Sequence, residues 1–174
     1  MKEFLVIVDM QKDFVDGALG TAEAVAILEP AVRLIEEFKG EIIVTLDTHG
    51  EDYLSTSEGR NLPVPHCIRG TQGWELHPAI SAALDGRPHT RLEKPTFGSI
   101  ELPKIIEKSA AGEDFKVTLI GLCTDICVVS NTLLIKAHFP EKEISVIAEC
   151  CAGVTPESHD AALKTMQMCQ INVK

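Results

Sequence analysis

The chain has 174 residues, 45% of them apolar and 24% charged, with a formal net charge of −10 at pH 7. That is an ordinary globular composition, and residues 1–174 read as one domain long enough for a sizeable core. The acidic balance excludes nucleic acid and anionic membrane as partners, and no apolar run reaches membrane-spanning length.

The opening run MKEFLVIVDM has one lysine and is interrupted by Asp9, unlike a secretory leader. It reads as a first strand over Phe4–Val8 in a cytoplasmic protein, whose six cysteines are then mostly reduced. The loop 10–20 is polar, with Phe14 as its large aromatic. Pro30 suits the first turn of a helix running to about Lys39, with Val32, Ile35 and Phe38 on one face and Gly40 closing it. Glu41–Leu46 is a second strand that again ends in an acid, Asp47. Residues 47–87 show little periodicity before a short helical piece near 78–84. Loops of that length in compact domains are usually functional or disordered. His89–Glu93 reads as a third strand ending at Lys94, and Leu102–Lys108 as a helix. Val117–Ile120 is a fourth strand, ended by Gly121. Thr124 and Asp125 offer cap oxygens for a helix running to about Ala137. Ile144–Ala148 is a fifth strand, Pro156 opens a last helix to about Met168, and Ile171–Lys174 can begin a sixth strand. Strand alternating with helix predicts a doubly wound, Rossmann-like α/β fold, with a mostly parallel sheet of five to six strands and helices on both faces.

Cys127 falls in the first turn of the predicted helix after the fourth strand. The positive end of a helix dipole favours thiolate there, and backbone N–H groups of the same turn can hold an oxyanion. Asp9 and Lys94 end two other strands. The carboxyl ends of parallel strands share one edge, so the three side chains can converge. A carboxylate that takes the thiol proton and returns it to a leaving amine, with an ammonium holding both, is a coherent nucleophilic set. Taken singly, a buried inert Cys127, a capping Asp9 and a surface Lys94 are the commoner fates.

Asp47-x-His49 together with His66 offers an open donor set suited to one divalent ion, Zn²⁺, Fe²⁺ or Mn²⁺, with Glu58 as a fourth ligand or acting through water. His77, His89, His138 and His159 are assigned to packing, capping or the surface. Cys123 and Cys127 form a CxxxC, not the CxxC of thiol oxidoreductases, and Cys150–Cys151 are expected to pack near the end of the fifth strand.

Five ordered blocks carry a resemblance over nearly the whole chain. They are VDMQKDF at 8–14, DTH at 47–49, PHCIRGTQG at 65–73, EKPTFGS at 93–99 and GLCTDICV at 121–128. The sequence resembles the isochorismatase-like cysteine hydrolases, and among them the nicotinamidases (pyrazinamidases) of pyridine nucleotide salvage.

The resemblance implies a catalytic triad of Asp9, Lys94 and Cys127. It also implies a non-proline cis peptide at Leu122–Cys123, which turns the N–H groups of Cys123 and Cys127 toward the oxyanion. Asp47, His49 and His66 would hold the metal, with Glu58 matching a ligand that only some members have. Phe14 and Phe97 would flank a substrate ring. The activity it implies is hydrolysis of a small amide, nicotinamide to nicotinate and ammonia, by a homo-oligomer. The alternative is another small amide of N-carbamoyl, ureido or maleamate type, whose hydrolases lack the metal set. The chain departs from the pattern at Pro63, where nicotinamidases usually carry an aromatic, and at Gly50, where Pro is common. Leu19, Leu62 or Trp74 would then complete the ring pocket.

Overall fold

The computed structural model describes residues 1–174. In chain order it contains β1 (Lys2–Val8), α1 (Lys12–Val15), α2 (Ala22–Ala26), α3 (Leu28–Glu37), β2 (Glu41–Asp47), α4 (Ser57–Asn61) and α5 (Pro78–Ala83). Then come β3 (His89–Lys94), α6 (Glu101–Ala110), β4 (Phe115–Leu122), α7 (Val129–His138), β5 (Glu143–Ala152), α8 (Pro156–Met168) and β6 (Asn172–Val173). All six strands are parallel, in the order β3-β2-β1-β4-β5-β6. No helix is long and apolar enough to cross a membrane.

Successive residues of β1 enter opposite cores, as a strand covered on both faces requires. Leu5 and Ile7 pack with Ile42 and Val44 against Ala31 and Ile35 of α3 and Ile80 of α5. Phe4, Val6 and Val8 pack on the other face against Leu102 and Ile106 of α6, Ile135 of α7 and Met166 of α8. The sheet grows outward in both directions from the β1/β4 pair, so their carboxyl ends frame the crevice where open α/β sheets bind ligands.

Several boundaries differ from the sequence reading. Gly121 does not end β4 but lies inside it at φ +120°, and a Cβ there would stand 2.1 Å from the Val8 carbonyl oxygen. Only glycine lets β4 lie this close to β1. The loop after β1 contains α1 and α2, and the long excursion contains α4, all too short for a periodic signal. The C-terminal residues do form an edge strand: β6 pairs with β5 through Ser145 and Val146.

Candidate active site

Asp9 follows β1 in a left-handed conformation, φ +47°. Non-glycine residues rarely adopt it, and where they do the site often has a function. Its N–H donates to the Thr45 carbonyl at 3.2 Å, and the Thr45 hydroxyl donates back to Asp9 Oδ1 at 2.6 Å. The β2/β3 register sets Asp47 beside Lys94. Lys94 Nζ lies 2.5 Å from Asp9 Oδ2, 3.4 Å from Asp47 Oδ1 and 3.5 Å from Cys127 Sγ, and donates to the Thr96 carbonyl at 3.0 Å. Asp9, Lys94 and Cys127 are 0%, 1% and 4% exposed, so these charges compensate one another away from water.

Burial pulls the Lys94 ammonium toward neutrality, but Asp9, Cys127 and Asp47 outweigh it and hold it charged. Burial pushes the Asp9 carboxyl up, against the pull of Lys94. Burial and the Asp9 charge push the Cys127 thiol well above its ordinary value despite Lys94. Burial thus works against the thiolate that a position at the start of a helix favours.

Cys127 lies in a π turn, Thr124–Val128, ahead of α7. The Cys123 carbonyl accepts from Ile126 N at 3.1 Å and Val128 N at 3.0 Å, and no side chain caps the turn. The expected cap residues act elsewhere because the wide turn uses backbone oxygen instead. Thr124 Oγ1 meets His159 Nδ1 at 2.8 Å, and the Asp125 carboxylate accepts from Val154 N at 3.2 Å, which ties the turn to α8 and to the loop after β5. The Leu122–Cys123 peptide is cis. Cys123 borders the same cavity as Cys127, and burial pushes its thiol up to about 12.

Beside this cluster, one donor atom each from Asp47, His49, Glu58 and His66 lie within 4.8 Å of one another. His49 Nε2 is 2.9 Å from Asp47 Oδ2, and His66 Nε2 is 3.5 Å from both Asp47 Oδ2 and Glu58 Oε1. His66 Nδ1 lies 2.8 Å from the Val64 carbonyl and must donate to it, which turns an Nε2 lone pair toward the other donors. Burial and the Asp47 charge push Glu58 up, while the two imidazoles and Lys94 hold Asp47 well below the usual carboxylate range in spite of burial. Two crowded carboxylates with two oriented imidazoles fit a divalent ion, which would relieve that crowding.

The sequence reading missed four supporting residues. Tyr53 is 1% exposed, its ring lies 4.8 Å from His49 and 5.0 Å from His66, and its hydroxyl donates to the Leu62 carbonyl at 2.9 Å. Gln11 clamps Asp47, its Oε1 accepting from Asp47 N at 2.7 Å and its Nε2 donating to Asp47 O at 2.8 Å. Asp13 Oδ2 accepts from Cys67 N at 2.8 Å, fixing the segment that carries His66. Asn131 ties the loop after Lys94 to the Cys127 turn. Gln11 and Asp13 lie inside the VDMQKDF block, so a signal for them existed. Tyr53 and Asn131 had none beyond being polar groups near candidate residues.

Both clusters open onto one cavity of about 620 Å³, bordered by Phe14, Glu58, His66, Phe97, Cys123 and Cys127 among others. The Phe14 ring is 5.3 Å from that of His66, and Phe97 stands at the mouth, 42% exposed. Leu19 and Leu62 border the cavity, whereas Trp74 does not: its indole N–H donates to Thr48 Oγ1 at 2.9 Å. A larger hollow of about 740 Å³, near Met1 and Gly40, holds none of the candidate residues.

The family model "Isochorismatase domain" matches residues 3–173. The fold is similar to that of the nicotinamidase/pyrazinamidase PncA from Bacillus subtilis, 26% identical with a TM-score of 0.86 over 99% of both chains. It is also similar to the pyrazinamidase of Pyrococcus horikoshii in complex with zinc, 27% identical with a TM-score of 0.79 over 100% of this chain and 99% of the other. A third similar structure is the N-carbamoylsarcosine amidase of Thermoplasma acidophilum, 29% identical with a TM-score of 0.77 over 100% and 96%. By the extent of the family match and the parallel sheet it shares with these structures, the chain belongs to the isochorismatase family.

Proposed function

We propose that the protein is a metal-dependent cysteine amidohydrolase that converts nicotinamide to nicotinate and ammonia through a thioester. The observation that carries this reading is the opening of the Asp9, Lys94 and Cys127 cluster and of the four-donor cluster onto one cavity. Asp47, His49, His66 and Glu58 would hold a divalent ion, which would supply Lewis-acid polarisation beside the substrate ring.

Cys127 Sγ attacks the amide carbon as its proton passes to Asp9, whose carboxylate and the thiol both meet the Lys94 ammonium. Lys94 keeps Asp9 in place and offsets the charge that builds on sulfur. The N–H groups of Cys123 and Cys127 receive the oxyanion. The C–N bond then breaks and Asp9 gives its proton to departing ammonia. Asp9 next takes a proton from water, the resulting hydroxide cleaves the thioester, and the thiol is restored. Phe14 and Phe97 flank the ring.

The names of the B. subtilis and P. horikoshii relatives support this substrate and a metal. The similarity to N-carbamoylsarcosine amidase favours a second reading, hydrolysis of an N-carbamoyl or ureido substrate. The donor cluster favours the first.

The test is ammonia release from nicotinamide by the wild type, before chelation, after it and after metal is returned, beside Cys127→Ala. Release that is lost on chelation and absent from Cys127→Ala is expected. A Cys127→Ala enzyme that keeps most of its activity would sink the mechanism. No release from metal-loaded wild type would turn the assignment to carbamoyl substrates.

A further inference from the structure

The N–H of Cys127 has no bond to the Cys123 carbonyl, although the N–H groups on either side of it, those of Ile126 and Val128, both donate there. Where that N–H points is therefore set by how the whole π turn is seated. On its carbonyl side Cys127 is held by Asn131. On its amino side, two neighbouring residues reach out of the turn to one segment, residues 153–159. Thr124 is 0% exposed, and the one hydrogen bond of its hydroxyl is shared with His159 Nδ1 at 2.8 Å. Both Asp125 carboxylate oxygens accept from Val154 N at 3.2 Å.

That segment is itself braced. Thr155 and Ser158 exchange backbone-to-hydroxyl bonds of 3.1 Å at the start of α8, and His159 N donates to the Thr155 carbonyl at 3.0 Å. Gly153 packs so close that a Cβ there would stand 2.9 Å from the His159 Cβ. The histidine is thus fixed at its backbone and offers the buried hydroxyl a fixed partner. We infer that His159 is a positioning residue for the proposed amidase reaction, which through Thr124 seats the Cys127 turn so that the Cys127 N–H faces the oxyanion. This rests on the amidase reading and adds to it a residue from α8.

The oxyanion exists only after attack, so a badly seated turn should slow the chemistry and spare substrate binding. The probe is pyridine-3-carboxaldehyde. The thiol of Cys127 adds across its C=O bond: sulfur joins the carbon, the thiol proton passes to the oxygen, and that oxygen stands where the oxyanion would. The experiment measures the aldehyde's dissociation constant by calorimetry, and kcat and KM for nicotinamide. The proteins are wild type, His159→Leu, His159→Asn and Thr124→Val, with Cys127→Ala giving the aldehyde affinity that needs no thiol.

His159→Leu and Thr124→Val should each weaken aldehyde binding and lower kcat at least about tenfold, with KM within about twofold. His159→Asn keeps a polar atom at the place of Nδ1 and should return both values toward wild type. Thr124→Val keeps the shape of the side chain, so the test survives a His159 variant that fails to fold. A Thr124→Val protein with wild-type kcat and aldehyde affinity, or a His159→Asn protein no better than His159→Leu, overturns the inference and leaves the amidase reading standing. A wild type that neither releases ammonia nor binds the aldehyde through Cys127 overturns that reading and this inference with it.

Discussion

Asn131 Nδ2 donates to the Cys127 carbonyl at 2.8 Å and to the Phe97 carbonyl at 3.1 Å, while its Oδ1 accepts from Ser99 N at 3.0 Å. One side chain, 0% exposed, thus fixes the distance between the nucleophile turn and the loop that follows Lys94. Asn131→Leu removes all three bonds and strands buried backbone groups. It should destabilise the fold by about 3 kcal/mol and lower kcat at least tenfold. Urea unfolding and steady-state kinetics in folded conditions check the two effects separately.

Lys94 and Asp9 form a dry ion pair, which single and double replacement should expose as coupled. Lys94→Met leaves Asp9 without its counter-charge and should cost about 3–5 kcal/mol. Adding Asp9→Asn removes the stranded charge and should restore much of that loss, although both variants are inactive. A double-mutant cycle from unfolding curves measures the coupling, and strictly additive losses would contradict the picture.

Asp13 touches none of the donor atoms directly. Through Cys67 N it holds the chain beside His66, and Gly73 is packed so close that a Cβ there would stand 2.1 Å from the Asp13 carboxylate. Asp13→Ala should weaken zinc binding about tenfold or more, the usual effect of losing an outer partner. His49→Ala should weaken it further. Competition with a chromophoric chelator ranks the three proteins.

The raised Cys127 pKa predicts a specific pattern of alkylation. A raised pKa means less thiolate at neutral pH, so in chelated protein iodoacetamide should label the exposed Cys169 well before Cys127. Labelling of Cys127 should keep rising with pH beyond 9.0, the ordinary thiol value. Returning the metal should speed it, because a nearby cation favours thiolate. Mass spectrometry of the labelled peptides across a pH series reads all three.

The sequence disclosed what periodicity and topology encode. Apolar runs marked β1, β2, β4 and β5, and the acid, lysine and cysteine at or just beyond strand ends pointed to one edge, where the structure brings Asp9, Lys94 and Cys127 together. Asp47, His49, Glu58 and His66, spread over a segment without periodicity, also converge. What escaped notice was held by long-range hydrogen bonds and by burial. Asn131 looked like any polar helix residue, and the true partners of Thr124 and Asp125 lie on α8 and in the loop after β5. The protonation of Cys127 depends on how dry its surroundings are, which the spacing of residues does not record.

The placement of β1 between β2 and β4 also governs how the chain is made. A ribosome delivers β1 and β2 early, but β4 only from Phe115 onward. Until then β1, whose residues Phe4–Val8 are all apolar, keeps one edge open, the kind of edge that invites pairing between chains. A polypeptide stalled before Phe115 therefore carries its stickiest strand unprotected. Arrival of β4 covers that edge, whereas the site waits for the Cys127 turn and for the loop after β5 and α8 to which it is tied, so protection of β1 should precede catalysis during synthesis.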